Sequence, residues 1–91
     1  MTFQKEKIAD FLQLFESNKQ KIRNFKGCLY LRLMQDLHTE NVFFTYSHWE
    51  NENDLENYRK SELFQGVWAN TKLYFLEKPE AWSVKEIVCL D

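Results

Sequence analysis

The chain predicts an α+β fold, a ferredoxin-like split β-α-β sandwich, and three observations predict it. An amphipathic helical pattern opens the sequence, two period-two runs follow at hairpin spacing, and helix-capping signals then return ahead of a last alternating run. The 91 residues are expected to form a single domain, 1–91.

The first helix rests on Ile8, Phe11, Leu12, Phe15, Ile22 and Phe25, which recur at helical spacing between Lys5 and Phe25. Asn18 and Lys19 interrupt the stripe, so its middle is expected to be less deeply buried. Gly27, free to take positive φ, stops the helix. Cys28 to Leu37 then alternates, with Leu29, Leu31 and Leu33 on one face and Tyr30, Arg32 and Met34 on the other. Asp36 to Asn41 is a polar turn, and Val42 to Trp49 completes a hairpin. The two faces of that second strand are Val42, Phe44, Tyr46, His48 and Phe43, Thr45, Ser47, Trp49. Neither is strongly polar, so both sides of the sheet are expected to be covered. The chain's own helices can cover one side, and a second subunit is the simplest cover for the other.

Asn53, with Glu56 three residues on, reads as a capping-box start for a short helix. Glu50, Glu52 and Asp54 place negative charge at its positive end. That acidic run lacks the glycine turn of hard-cation loops, so no metal is expected there. Ser61 caps a further helix to about Glu77, with Leu63, Val67, Trp68 and Leu73 or Tyr74 turned inward, and Pro79 closes it. Ala81 to Val88 alternates again and is expected to be the last strand. Only Met1 to Phe3 precede the first helix, where a ferredoxin-like order calls for a central strand of about five or six residues. A segment upstream in the biological protein, or one from another subunit, is expected to fill the gap.

Composition narrows the function. Eight Phe, four Tyr and three Trp in so short a chain exceed what its limited interior needs, which favours an oligomer, a ligand pocket, or both. The net charge is −2, and the one basic group (Lys19, Lys21, Arg23 and Lys26) suits the negative end of the first helix. No basic stripe marks a nucleic-acid surface. No apolar run reaches the roughly 18 residues of a membrane span, and the start, Met-Thr-Phe-Gln-Lys-Glu-Lys, is too charged to be expected to act as a signal peptide. Cys28 and Cys89 read as reduced thiols and small apolar fillers of a cytoplasmic protein. The sequence holds no metal-spaced cluster, nucleophile elbow or glycine-rich phosphate loop.

Three stretches carry a family likeness: Phe25-Lys26-Gly27-Cys28-Leu29, the strand Phe43-Phe44-Thr45-Tyr46 ending in Trp49-Glu50, and Tyr58-Arg59-Lys60-Ser61-Glu62-Leu63-Phe64. In that order and spacing, the chain from about Lys7 to Ile87 resembles the antibiotic biosynthesis monooxygenase family of small dimeric α+β barrels. The resemblance implies a homodimer in which two sheets pack face to face with the helices outside. It also implies quinol-monooxygenase-like chemistry: a cofactor-independent monooxygenase acting on a small aromatic, phenolic or quinol substrate. In such relatives the protein binds the aromatic and helps remove a proton, and the electron-rich anion then reduces oxygen. Other relatives degrade haem, using an Asn on the first strand with a Trp and a His on later helices. Aligned through Ser61 and Phe64, those helical positions hold Tyr58 and Trp68 here, and an indole has no lone pair for iron. No cofactor is therefore expected. Many quinol-type relatives carry a helical His around Tyr58 or Phe64, which this chain lacks. That departure favours the alternative, a non-catalytic dimeric barrel binding a small apolar ligand or acting as an interaction module.

The candidate site follows from the few groups able to move protons. His38 lies in the polar turn and is expected to be exposed. His48 shares a strand face with Phe44 and Tyr46, and histidine exchanges protons near neutrality, so it is the candidate catalytic base. If that face looks onto the helices, His48 lies beside Tyr58 or Trp68, and Phe44, Tyr46, Tyr58, Phe64 and Trp68 line the substrate pocket. Tyr46, Tyr58 and Tyr74 are candidate donors to a phenolate or quinone oxygen; core packing is the competing role of all these rings. Trp49 and Trp82 are assigned to sheet packing or a dimer contact. Arg32 would need a carboxylate across the barrel, with Glu86 the candidate, because unpaired buried charge is costly.

Overall fold

A computed structural model describes residues 1–90. Its elements are α1 (Ile8–Arg23), β1 (Cys28–Gln35), β2 (Phe43–Trp49), α2 (Glu52–Arg59) and α3 (Glu62–Thr71), with short 3-10 turns at Lys5–Lys7 and Lys72–Tyr74. Strands β1 and β2 pair antiparallel as the hairpin the alternation predicts.

The start of the chain is better paired than its length foretells. Thr2 bridges Val42, and Phe3 bridges Phe75, both antiparallel. Met1 and Phe43 exchange two backbone bonds of 2.8 Å, and the Leu76 N–H donates to the Thr2 carbonyl at 2.8 Å. Met1 to Phe3 thus sit between the start of β2 and the chain at Phe75, in the central place the ferredoxin-like order requires. Beyond Phe43, the same edge of β2 has no strand beside it among the described residues.

The core forms where that short segment meets α1. Phe3 is wholly buried; its ring stacks on Phe11 at 4.1 Å and meets Phe43 edge-on at 5.7 Å. Met1, Ile8, Phe15, Leu33, Tyr74 and Phe75 pack around these three rings. Ile22 is buried as its place in the stripe implies, whereas Leu12 and Leu73 are exposed.

Several boundaries differ from expectation, each for a local reason. The N-cap of α2 is Asn51 rather than Asn53: its side chain accepts the Asp54 N–H at 2.9 Å. Helix α3 ends at Thr71 rather than near Glu77, because the chain tightens into the 3-10 turn and extends at Phe75 to reach Phe3. A bulge between Cys28 and Tyr30 turns Leu29 out to solvent, away from Leu31 and Leu33. Gly27 takes φ +87°, as the helix stop requires, and a Cβ there would collide with the Asp54 side chain. The filler role holds for Cys28, which is buried, but Cys89 is exposed.

The expected last strand is absent: Ala81 to Val88 has no regular structure and is exposed throughout. An alternating pattern becomes a strand only where an edge offers partners for its backbone groups, and among the described residues this segment meets none.

Register decides which side of the sheet is covered. Tyr30 pairs with His48, Arg32 with Tyr46 and Met34 with Phe44, so these six side chains share one face. Leu33 and Phe43 point the other way, into the core beneath the helices. The first face is therefore open, with Met34, Phe44 and Tyr46 at 37%, 47% and 39% exposure. The described residues cover one side of the sheet and not the other.

Candidate functional site

On the open face, Tyr46 and His48 stand two residues apart on β2, which brings their side chains together. The Tyr46 hydroxyl is hydrogen-bonded to His48 Nε2. With the imidazole proton on Nδ1, Nε2 accepts and the hydroxyl donates. Across the hairpin, the Tyr30 ring lies 5.9 Å from the His48 ring and 6.0 Å from that of Tyr46. The Arg32 guanidinium sits 5.2 Å from the Tyr30 ring centroid, in cation–π range. Met34 and Phe44 extend the apolar surface from the other end. The result is a hydrogen-bonded tyrosine–histidine pair set in an aromatic floor.

The opposite side of the sheet is filled by rings. Trp49 stacks on Tyr58 at 4.9 Å, Tyr58 meets Phe64 edge-on at 5.2 Å, Phe64 lies parallel to Trp68 at 6.1 Å, and Trp68 meets Phe75 at 5.5 Å. Phe25 closes the row against Tyr58 at 5.3 Å. The caps hold this row in place: Ser61 Oγ accepts the Phe64 N–H at 3.1 Å and donates to the Tyr58 carbonyl at 2.6 Å. Burial, with a smaller contribution from Cys28, pushes the Tyr58 phenol up to about 12. Tyr58 is thus a neutral group at any ordinary pH.

The structure divides the expected pocket between the two sides. Phe44, Tyr46 and His48 stand together on the open face; Tyr58, Phe64 and Trp68 stand together beneath the sheet, and His48 touches neither Tyr58 nor Trp68. The reason lies at Phe43. Its backbone pairs with Met1 and its ring packs on Phe3 and Phe11, which turns Phe44, Tyr46 and His48 outward by the period of two. Tyr74 packs against the core, Trp49 joins the rings under the sheet, and Trp82 is exposed. His38 is exposed in its turn, where Asp36 Oδ1 accepts the N–H groups of His38 and Thr39 at 2.9 Å.

Tyr30 is the member of the open-face cluster that sequence reasoning passed over. Counting the hairpin register from the Asp36–Asn41 turn would have set it opposite His48. Among the described residues no cluster of His, Cys, Asp and Glu could hold a metal, and no helix is long and apolar enough to cross a membrane.

Comparison with known proteins bears on both the fold and the family. Among curated proteins no sequence matches. A conserved protein from Methanosarcina mazei Go1 superposes with TM-score 0.83 at 19% identity, covering 87% of this chain and 78% of that one. A structure named antibiotic biosynthesis monooxygenase gives TM-score 0.79 at 19% identity, over 85% of this chain and 81% of its own. A candidate antibiotic biosynthesis monooxygenase from Deinococcus radiodurans gives 0.77 at 20% identity, over 97% and 92%. At such identities these likenesses establish the fold. The family model described as antibiotic biosynthesis monooxygenase matches residues 1–69, more than half the chain. The chain therefore belongs to the antibiotic biosynthesis monooxygenase family.

Proposed function

We propose that the protein is a cofactor-independent monooxygenase for a small aromatic, phenolic or quinol substrate, which it holds against the open sheet face within a homodimer. The observation that carries this reading is the Tyr46–His48 hydrogen bond set among Tyr30, Phe44 and Met34. The substrate ring lies on this apolar floor with its hydroxyl at Tyr46 Oη. The proton it loses passes to the tyrosine oxygen as the tyrosine's own proton moves to His48 Nε2. The electron-rich phenolate then reduces dioxygen. One oxygen atom bonds to a ring carbon, and the other leaves as water with the two hydrogens the substrate has given up. A phenol becomes a quinone with no external reductant.

Such a site works best shielded from water, and a single chain leaves this face open. A second copy laid sheet to sheet supplies the roof, with an interface on the order of 2,000 Å² or more in total, as obligate dimers have. Tyr58, Phe64 and Trp68 act here as the packed support of β2.

One observation favours a second reading, a non-catalytic barrel that binds a small apolar ligand. The rings beneath the sheet pack on one another, and no imidazole stands among them. Oxygen uptake with a panel of hydroquinones separates the two. Catalysis predicts turnover that falls by at least about 100-fold in His48→Ala, the usual worth of a positioned base. Full activity in that variant rejects His48. Ligand binding with no oxygen uptake in the wild type decides for the second reading.

A further inference from the structure

Of the side chains that share the open face, Tyr30, Met34, Phe44, Tyr46 and His48 are rings or a thioether, and Arg32 is the one formal charge among them. Its guanidinium rests over the Tyr30 ring at 5.2 Å, and among the described residues it has no ion-pair partner. Glu86, the carboxylate that the sequence offers as its partner, meets only the exposed Cys89 thiol.

A lone guanidinium in water is satisfied by water, but the proposed homodimer shuts water out of this face. Two facing sheets then contribute two Arg32 side chains and no acid, and apolar walls concentrate the resulting positive potential. Desolvating an unpaired charge is costly, and a carboxylate held by the guanidinium fork through two parallel bonds offsets that cost. Register sets where such a group would stand. Arg32 is the cross-strand partner of Tyr46, and such partners have Cβ atoms about 4.5–5.5 Å apart. The Tyr30 ring, 6.0 Å from that of Tyr46 and 5.9 Å from that of His48, carries the guanidinium beside the hydrogen-bonded pair. One benzene ring can therefore lie with a hydroxyl at Tyr46 and a second substituent toward Arg32.

We propose that the substrate is an acidic phenol, a phenol or hydroquinone whose ring carries a carboxylate, and that Arg32 receives this carboxylate while the hydroxyl meets the Tyr46–His48 pair. This inference rests on the reading of the open face as the substrate site and adds the charge of the substrate. The guanidinium selects and orients the ring and takes no part in the proton transfer. Two anchors on one ring fix its rotation on the aromatic floor, which a single hydroxyl cannot do.

Binding measured without oxygen tests the proposal apart from turnover. A dihydroxybenzoate and its methyl ester are the probes, titrated calorimetrically into full-length wild type and Arg32→Gln. The wild type should bind the acid at least about 10-fold more tightly than the ester, the contribution of a charge-assisted pair. Arg32→Gln should bind the two alike, and circular dichroism should show it folded, because Arg32 is exposed in the single chain. Arg32→Lys should keep part of the preference, since the charge remains and the fork is lost. Equal binding of acid and ester by the wild type, or no binding of either, would overturn the inference. Equal binding is also what a protein carboxylate at Arg32, Glu86 included, predicts. A preference that survives in Arg32→Gln would overturn it too. So would a variant that weakens acid and ester alike, since the guanidinium would then serve the hydroxyl or ring that both share. Oxygen uptake is read separately. A wild type that prefers the acid but consumes no oxygen with it refutes the monooxygenase reading and leaves the role of Arg32 standing, whereas turnover of uncharged hydroquinones with no preference for the acid does the reverse.

Discussion

Replacing Phe3 with alanine probes the fold at its most loaded point. The ring has no exposed surface and touches Phe11, Phe43 and Phe75 at centroid distances of 4.1, 5.7 and 5.1 Å. Its backbone is held as well: the Phe3 N–H donates to the Asn41 carbonyl at 2.9 Å, and Asn41 Nδ2 donates to the Phe3 carbonyl at 2.8 Å. Those bonds keep the segment seated after the ring is cut away, so the cavity cannot collapse freely. Buried Phe→Ala changes cost about 3–5 kcal/mol through lost transfer energy and the residual cavity. A domain of this size has roughly 5–14 kcal/mol of stability in all, so the variant should stay folded with much of its margin gone. At about 4–8 °C per kcal/mol the midpoint of a thermal melt followed by circular dichroism should fall by at least about 12 °C. Leu37→Ala, at a position 89% exposed, should change stability by no more than about 0.5 kcal/mol. A Phe3→Ala shift below about 4 °C would show that Met1 to Phe3 do not anchor the core.

Other predictions follow from single contacts. Gly27→Ala forces a Cβ into the Asp54 side chain at a positive φ, and should lower stability in urea by more than about 1–2 kcal/mol; an unchanged midpoint would refute the close approach. Asn51→Ala should cost about 1 kcal/mol by removing the α2 cap, whereas Asn53→Ala should cost little. Tyr58 carries a pH signature. Its phenol is held at about 12 against an ordinary 10, so below pH 10 both states keep the proton and the contribution is full. Between pH 10 and 12 the unfolded chain ionises first, and stability should fall as pH rises. Urea titrations of wild type and Tyr58→Phe across that window would test this, and an equal loss in both would remove Tyr58 as the cause.

Much of the fold was legible from spacing alone. The stripe of α1, the glycine stop, the hairpin and the Ser61 cap all appear where local periodicity and chemistry place them. What escaped was set by contacts distant in sequence. Helix α3 stops early because Phe75 is drawn to Phe3, about 70 residues away along the chain. Asn51 and Asn53 are equally good caps by type, and only the geometry of the Asp54 N–H separates them. The site was half legible for a similar reason. Residues of β2 alternate Phe43, Phe44, Thr45, Tyr46, and with apolar rings on both faces the period of two cannot say which face turns inward. The bridge from Met1 and Thr2 to Val42 and Phe43 decides it. Residues 81–88 carry a strand pattern that is plain to read, yet they pair with no strand among the described residues.

Labelled dioxygen tests the proposed chemistry most directly. The wild-type protein, incubated with whichever hydroquinone or phenol sustains oxygen uptake, is supplied with heavy-isotope oxygen gas, and product and water are analysed by mass spectrometry. A monooxygenase predicts one labelled atom in the quinone and one in water for each dioxygen consumed, with incorporation lost in His48→Ala. Oxygen consumed with no label in the product, and peroxide released instead, would contradict it.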